Sequence, residues 1–266
     1  MSFQRSAAIM LRQFYLMRGS AARVLPLFAW VGVDMVLWGF MSRYLSAITA
    51  AGLNFVATLL GAVLLWDFFT RVMQGVTMTF FEDVWSRNFL NIFASPLRLS
   101  EYLIGLVMSS VVTSFVGLVF MLIVASGVFG LSFFSYGVVL IPGLLILFLF
   151  GIALGIAASG MVLRLGPAAE WFVWPIPAFM APFAAVYYPI KTLPQWMQDI
   201  GRIIPPSYVF QNIRSIVSGG TASWGPLTFG AGLAVAYLLL ASWFFSSMYR
   251  HGVRTGLIAR YSSETL

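Results

Sequence analysis

Six long runs of mostly apolar residues constrain this chain more than any other feature: residues 24–44, 53–81, 102–124, 137–163, 168–187 and 226–248. A helix rises about 1.5 Å per residue, so about 20 residues cross roughly 30 Å of hydrocarbon. No water is present there to satisfy backbone amides, so a continuous apolar run must be helical. The two-residue alternation of a barrel strand is missing. Composition agrees: of 266 residues 61% are hydrophobic and 9% charged. A soluble domain is about a quarter charged, and a core of this size cannot hide the apolar excess. The expected fold is an all-α membrane protein of six transmembrane helices, with lipid as its main solvent.

An even number of spans puts both termini on one side. With the termini inside, Arg5, Arg12, Arg18, Arg23, Arg87, Arg98, Arg164, Arg250, Arg254 and Arg260 are cytoplasmic, and only Arg43, Lys191, Arg202 and Arg214 lie outside. That asymmetry follows the positive-inside rule. The net charge of +7 therefore reads as topology rather than as nucleic-acid binding. The first run is a full span beginning about 24 residues in, which disfavours a cleaved signal peptide.

Residues 1–22 read as an amphipathic helix on the membrane surface, with Phe3, Ala7, Met10, Phe14 and Met17 at helical spacing and Arg5 and Arg12 pointing elsewhere; Ile9 and Leu16 interrupt the polar face, and a basic flank that only fixes orientation is the alternative. Residues 23–266 read as a single six-helix domain. Between the second and third runs lies a cytoplasmic loop, 82–101, whose short helix gathers Trp85, Phe89, Ile92 and Phe93 and ends at Ser95-Pro96. Such an element can dock in a groove of another protein or rest on the membrane surface. Before the last run, residues 188–224 are punctuated by Pro189, Pro194, Pro205 and Pro206. That segment is too broken to span and reads as two half-helices that re-enter the outer leaflet or cap a cavity.

Several chemistries are missing. Cysteine is absent and His251 is the only histidine, which removes thiol, iron–sulfur and ordinary zinc sites. The only lysine, Lys191, has Ile190 and Ala185 where a phosphate-binding loop needs glycine. Any ATP and Mg must then be held by a partner. A Ser–His protease would need a histidine at membrane depth, and the flanks of Asp34 and Asp67 do not resemble an aspartyl-protease motif.

Asp34, Asp67 and Arg71 nevertheless fall inside apolar runs, where each charge costs about 2.5–3.5 kcal/mol at a helix centre. Asp67 and Arg71 are four apart and share a helix face. They can neutralise each other within the bundle or line a polar path, and both readings stand. Gly151, Gly155 and Gly160 give the fourth run a small-residue face for close helix packing.

Together these segments resemble the ABC-2 type permeases, the membrane subunits of ATP-binding-cassette exporters. The resemblance rests on the N-terminal amphipathic segment before six spans and on two motif regions. In the loop after the second span they are Glu82-Asp83, Arg87, Asn91-Ile92-Phe93, Ser95-Pro96, Glu101 and Gly105. Before the last span they are Tyr188-Pro189-Ile190, Leu193-Pro194-Gln195-Trp196, Pro205-Pro206 and Arg214. Many members carry glycine near Arg87-Asn88, where this chain has none.

The resemblance implies that Glu82, Asp83, Trp85, Arg87, Phe89, Leu90, Phe93, Ser95 and Pro96 form a coupling region that grips a separate ABC ATPase subunit. It implies that Pro189, Pro194, Trp196, Pro205, Pro206 and Arg214 belong to a re-entrant outer hairpin. It further implies a second permease copy, forming a homodimer, no cofactor on this chain, and a bacterial or archaeal inner membrane. The cargo class would be amphiphilic: a drug, a lipid-linked glycan or a polysaccharide. The competing readings are an ATP-independent secondary transporter or channel, supported by Pro175, Pro177 and Pro182 in the fifth run, and a membrane scaffold.

Overall fold

In the computed structural model, which describes residues 2–48, 56–86 and 89–256, every regular element is helical. The elements are α1 (Phe3–Arg18), α2 (Ala21–Ile48), α3 (Gly61–Trp85), α4 (Phe89–Ala94), α5 (Leu99–Phe129), α6 (Leu140–Leu165), α7 (Glu170–Val173), α8 (Ile176–Met180), α9 (Gln195–Arg202), α10 (Pro205–Val217) and α11 (Trp224–Thr255). A π-turn, Val56–Leu60, leads into α3, and a 3-10 segment, Phe133–Val139, leads into α6.

Among the described residues four helical stretches are long and apolar enough to cross a membrane: Val56–Trp85, Leu99–Phe129, Phe133–Leu165, which kinks at Gly137, and Trp224–Thr255. They correspond to the second, third, fourth and sixth expected runs. Each extends past its apolar stretch at one or both ends, because helix propensity does not stop where hydropathy does. Residues 53–55 of the second run lie outside the described residues. The first run corresponds to α2, a 28-residue helix.

The fifth run, 168–187, is not one helix. It divides into a 3-10 turn (Pro167–Ala169), α7, α8 and irregular turns. Pro175, Pro177 and Pro182 explain the breaks, since each lacks an amide donor and its ring disfavours a preceding helical turn. Ala185 adds a left-handed residue, φ 52°.

α3 and α6 form the centre of the bundle, while α5 and α11 flank them with mostly lipid-accessible surfaces. The small-residue face of α6 explains the close approach. A Cβ on Gly155 would come within 2.7 Å of the Val76 side chain and 2.9 Å of the Met73 carbonyl on α3. Gly151 is equally tight against Val72, and Gly160 instead meets Phe244 on α11. With no hydrophobic drive between helices in lipid, close backbone approach of this kind lets α3 and α6 gain van der Waals packing. Phe69 stacks on Phe150 at 5.7 Å, and Tyr237 of α11 meets Phe150 edge-on, so aromatic contacts join the three helices.

Candidate functional site

The α3–α4–α5 junction is locked to the N-terminal helix. The apolar stripe of α1 stays on the outer surface, with Phe3 and Phe14 exposed, while Ser6, Ile9 and Gln13 are buried. Arg5 and Arg12, seven residues apart, reach inward. Arg12 forms an ion pair with Asp83 in the last turns of α3, and the Tyr102 hydroxyl donates to the other Asp83 oxygen at 2.8 Å. Gln13 donates to the Thr79 carbonyl at 3.4 Å.

At the start of α5, Glu101 is a hub. Its carboxylate accepts from the Ser2 backbone amide at 2.7 Å and the Arg98 amide at 3.0 Å, and lies 3.5 Å from Arg5. Arg5 also donates to the Pro96 carbonyl, and Ser6 donates to the Glu101 carbonyl at 3.0 Å. Asp83 is buried, so its partners offset a desolvation cost of several kcal/mol, while the backbone amides that Glu101 accepts from hold its carboxyl pKa below the ordinary value. Close packing permits all of it: a Cβ on Gly105 would sit 2.6 Å from Ile9.

The coupling residues fare differently. Trp85 belongs to the last turn of α3, half-exposed beside Phe81, rather than to the short loop helix expected to gather it. That helix is α4, six residues long, whose Ile92 is buried. Glu82 lies one residue before Asp83, partly exposed. Ser95 closes the helix by donating to the Ile92 carbonyl at 2.5 Å, and Pro96 is exposed. Arg87 and Asn88 lie outside the described residues; Phe89, Leu90 and Phe93 are on α4, with side chains outside the description.

Within the apolar layer, Asp34 of α2 and Asp67 and Arg71 of α3 form one electrostatic group, with Arg71 in range of both carboxylates. Sequence spacing alone pairs Asp67 with Arg71; the structure adds Asp34 from a second helix. Arg71 packs alongside Gly117 of α5.

The proline-punctuated segment folds into α9 and α10, as two short helices. Pro189 precedes a 3-10 turn, Pro194 precedes α9, and Pro205 and Pro206 occupy the first turn of α10, where a missing amide costs nothing. Trp196 is exposed and meets Phe183 edge-on at 6.1 Å. The Tyr237 hydroxyl of α11 donates to the Ile203 carbonyl at 3.0 Å, tying the hairpin to the bundle. Arg214 donates to the carbonyls of Ala185 and Val186 at 3.0 and 3.1 Å. Burial without a carboxylate partner lowers its guanidinium pKa from the ordinary value.

Sequence reasoning missed Arg12, Tyr102 and the hub role of Glu101. The available signal was the seven-residue spacing of Arg5 and Arg12, which places two cations on one face of α1.

Residues 42–243 match the model of a family described as ABC-2 family transporter protein, well over half of the chain. No curated protein matches the chain.

Proposed function

We propose, given that this chain belongs to the ABC-2 family of transporter proteins, that it is the membrane-spanning permease half of an ATP-driven exporter. It is a multi-pass membrane component, and ATP hydrolysis falls to a separate nucleotide-binding subunit that carries the ATP and Mg.

One observation supports this reading most. α3 is a continuous helix that carries Asp83 of the α1 latch near one end and Asp67 near the other. Sixteen residues separate them, about 24 Å along the axis. A push on α4 or α1 would therefore be delivered by a rigid rod to the intramembrane charges. In this reading the ATPase grips the region from Glu82 to Pro96. Two permease copies pair in a bacterial or archaeal inner membrane with their termini cytoplasmic. The α9–α10 hairpin caps the outer side, and the cargo is an amphiphile such as a drug, lipid-linked glycan or polysaccharide.

A second reading, an ATP-independent secondary transporter or channel, draws on the broken segment 168–187, since interrupted helices near the midplane mark such sites.

The test is co-purification with a Walker-type ABC ATPase subunit from the same genome, followed by ATPase assays. The permease reading expects a stable complex whose ATPase rate responds to the chain. Replacing both Phe89 and Leu90 by glycine should leave hydrolysis running but remove that response. A chain that neither binds the ATPase nor alters its rate would defeat the reading.

A further inference from the structure

At the end of the bundle that carries the hairpin, an open cavity of about 520 Å³ is lined by Trp66, Asp67, Thr70, Trp174, Tyr187 and Tyr188, among others. Its volume falls within the roughly 300–1,000 Å³ of small-molecule sites. Three features define its chemistry. Four aromatic side chains, Trp66, Trp174, Tyr187 and Tyr188, line it. Trp38 of α2 stacks on Tyr187 at 5.3 Å and 8° between ring planes, which fixes that wall. Asp67 brings a carboxylate, and its Oδ2 is buried without a hydrogen-bond partner.

Charge selects among ligands. Two carboxyl groups, Asp34 and Asp67, share a single guanidinium, Arg71, within this group. An anion entering the cavity meets the Asp67 carboxyl on its wall, with Asp34 in electrostatic range behind it and only Arg71 to offset the two. A neutral amphiphile leaves the buried Asp67 oxygen unmatched. A cation satisfies the carboxylate and gains attraction from the aromatic faces, which strengthens as water is excluded.

The wall is held under strain. Ala185, two residues before Tyr187, is the only non-glycine with positive φ among the described residues. Such a conformation persists where the surroundings over-determine it. Here Arg214 does so, donating to the carbonyls of Ala185 itself and of Val186, the residue after it.

We propose that this cavity binds an organic cation with aromatic or aliphatic bulk, Asp67 supplying the counter-charge and Trp66, Trp174, Tyr187 and Tyr188 the walls. The proposal rests on the permease reading and narrows its cargo from amphiphiles in general to cationic ones.

Tetraphenylphosphonium and tetraphenylborate are near-identical in shape and opposite in charge, so they separate charge from greasiness. Equilibrium binding of each to the purified full-length chain in nanodiscs is the test. Saturable binding of the phosphonium and none of the borate is expected. Asp67→Asn should weaken phosphonium binding about tenfold or more. Thr70→Trp, which fills the cavity and keeps every charge, should do the same; it decides alone if Asp67→Asn does not fold. Three results would overturn the proposal: no saturable phosphonium binding by wild-type protein, equal binding of the borate, or unchanged affinity in the folded variants. If ATPase coupling stays intact in that event, the cation assignment falls and the permease reading survives; loss of ATPase association sinks the latter.

Discussion

Arg12 of the N-terminal helix and Asp83 of α3 form an ion pair 71 residues apart in sequence, closed on its far side by the Tyr102 hydroxyl. Asp83 is 2% exposed at its side chain and Arg12 27%, so the acid depends on its partner more than the base does. Arg12→Leu should therefore destabilise the protein by about 3 kcal/mol, the range found when one member of a buried pair is removed. The Arg12→Leu, Asp83→Leu double variant should lose less than the sum of the singles, by about 1–3 kcal/mol. Thermal unfolding in detergent measures both. Strictly additive losses would show that the two side chains do not share their energy.

Gly105 is where α1 touches α5, and any side chain there must displace Ile9. Because the chain contains no cysteine, a single probe reports cleanly. A buried Ile9→Cys should react slowly with a water-soluble maleimide. Adding Gly105→Leu should speed labelling by about tenfold or more, since lifting α1 exposes the probe. Equal rates with and without the leucine would place α1 elsewhere.

Much of this architecture was legible in sequence for one physical reason: lipid imposes a length and a polarity on every span. α2, α3, α5, α6 and α11 follow from that rule, and Gly151 and Gly155 announced their close packing with no partner specified. The 168–187 segment escaped it, because apolar composition satisfies the membrane while Pro175, Pro177 and Pro182 break the helix. The latch was illegible for a different reason. Arg5 reads as a topological flank until folding brings it beside Glu101, 96 residues away. The buried face of α1 is also its polar one, Ser6 and Gln13 included, because their partners are backbone carbonyls.

Two glycines separate packing from composition. Gly155→Leu should cost about 1–3 kcal/mol or prevent folding, since the Val76 side chain and Met73 carbonyl cannot both retreat. On α11, a Cβ added at Gly232 would meet nothing within 4 Å, so Gly232→Leu should leave the unfolding temperature near wild type. Similar losses in both would mean that α6 does not lie as close to α3 as the structure shows.

Ala185 and Arg214 make a joint prediction. A β-branched residue tolerates the left-handed region poorly, so Ala185→Val should cost about 2 kcal/mol. Arg214→Met should release two carbonyl bonds at about 1–3 kcal/mol. The pair combined should fall short of the sum, because without Arg214 the strained turn relaxes. Full additivity, read by thermal unfolding, would mean that Arg214 does not hold that turn.

The central claim is that this chain moves only when nucleotide acts on a separate subunit. Spin labels at Trp85→Cys, at the end of α3 next to α4, and Trp196→Cys, on the hairpin, span the bundle. Both positions are exposed. Their distance distribution, measured by pulsed electron resonance in nanodiscs, should shift when ATP is added with the ATPase subunit bound and stay fixed when ATP is added to the chain alone. An ATP-driven shift without the subunit, or none with it, would contradict the account.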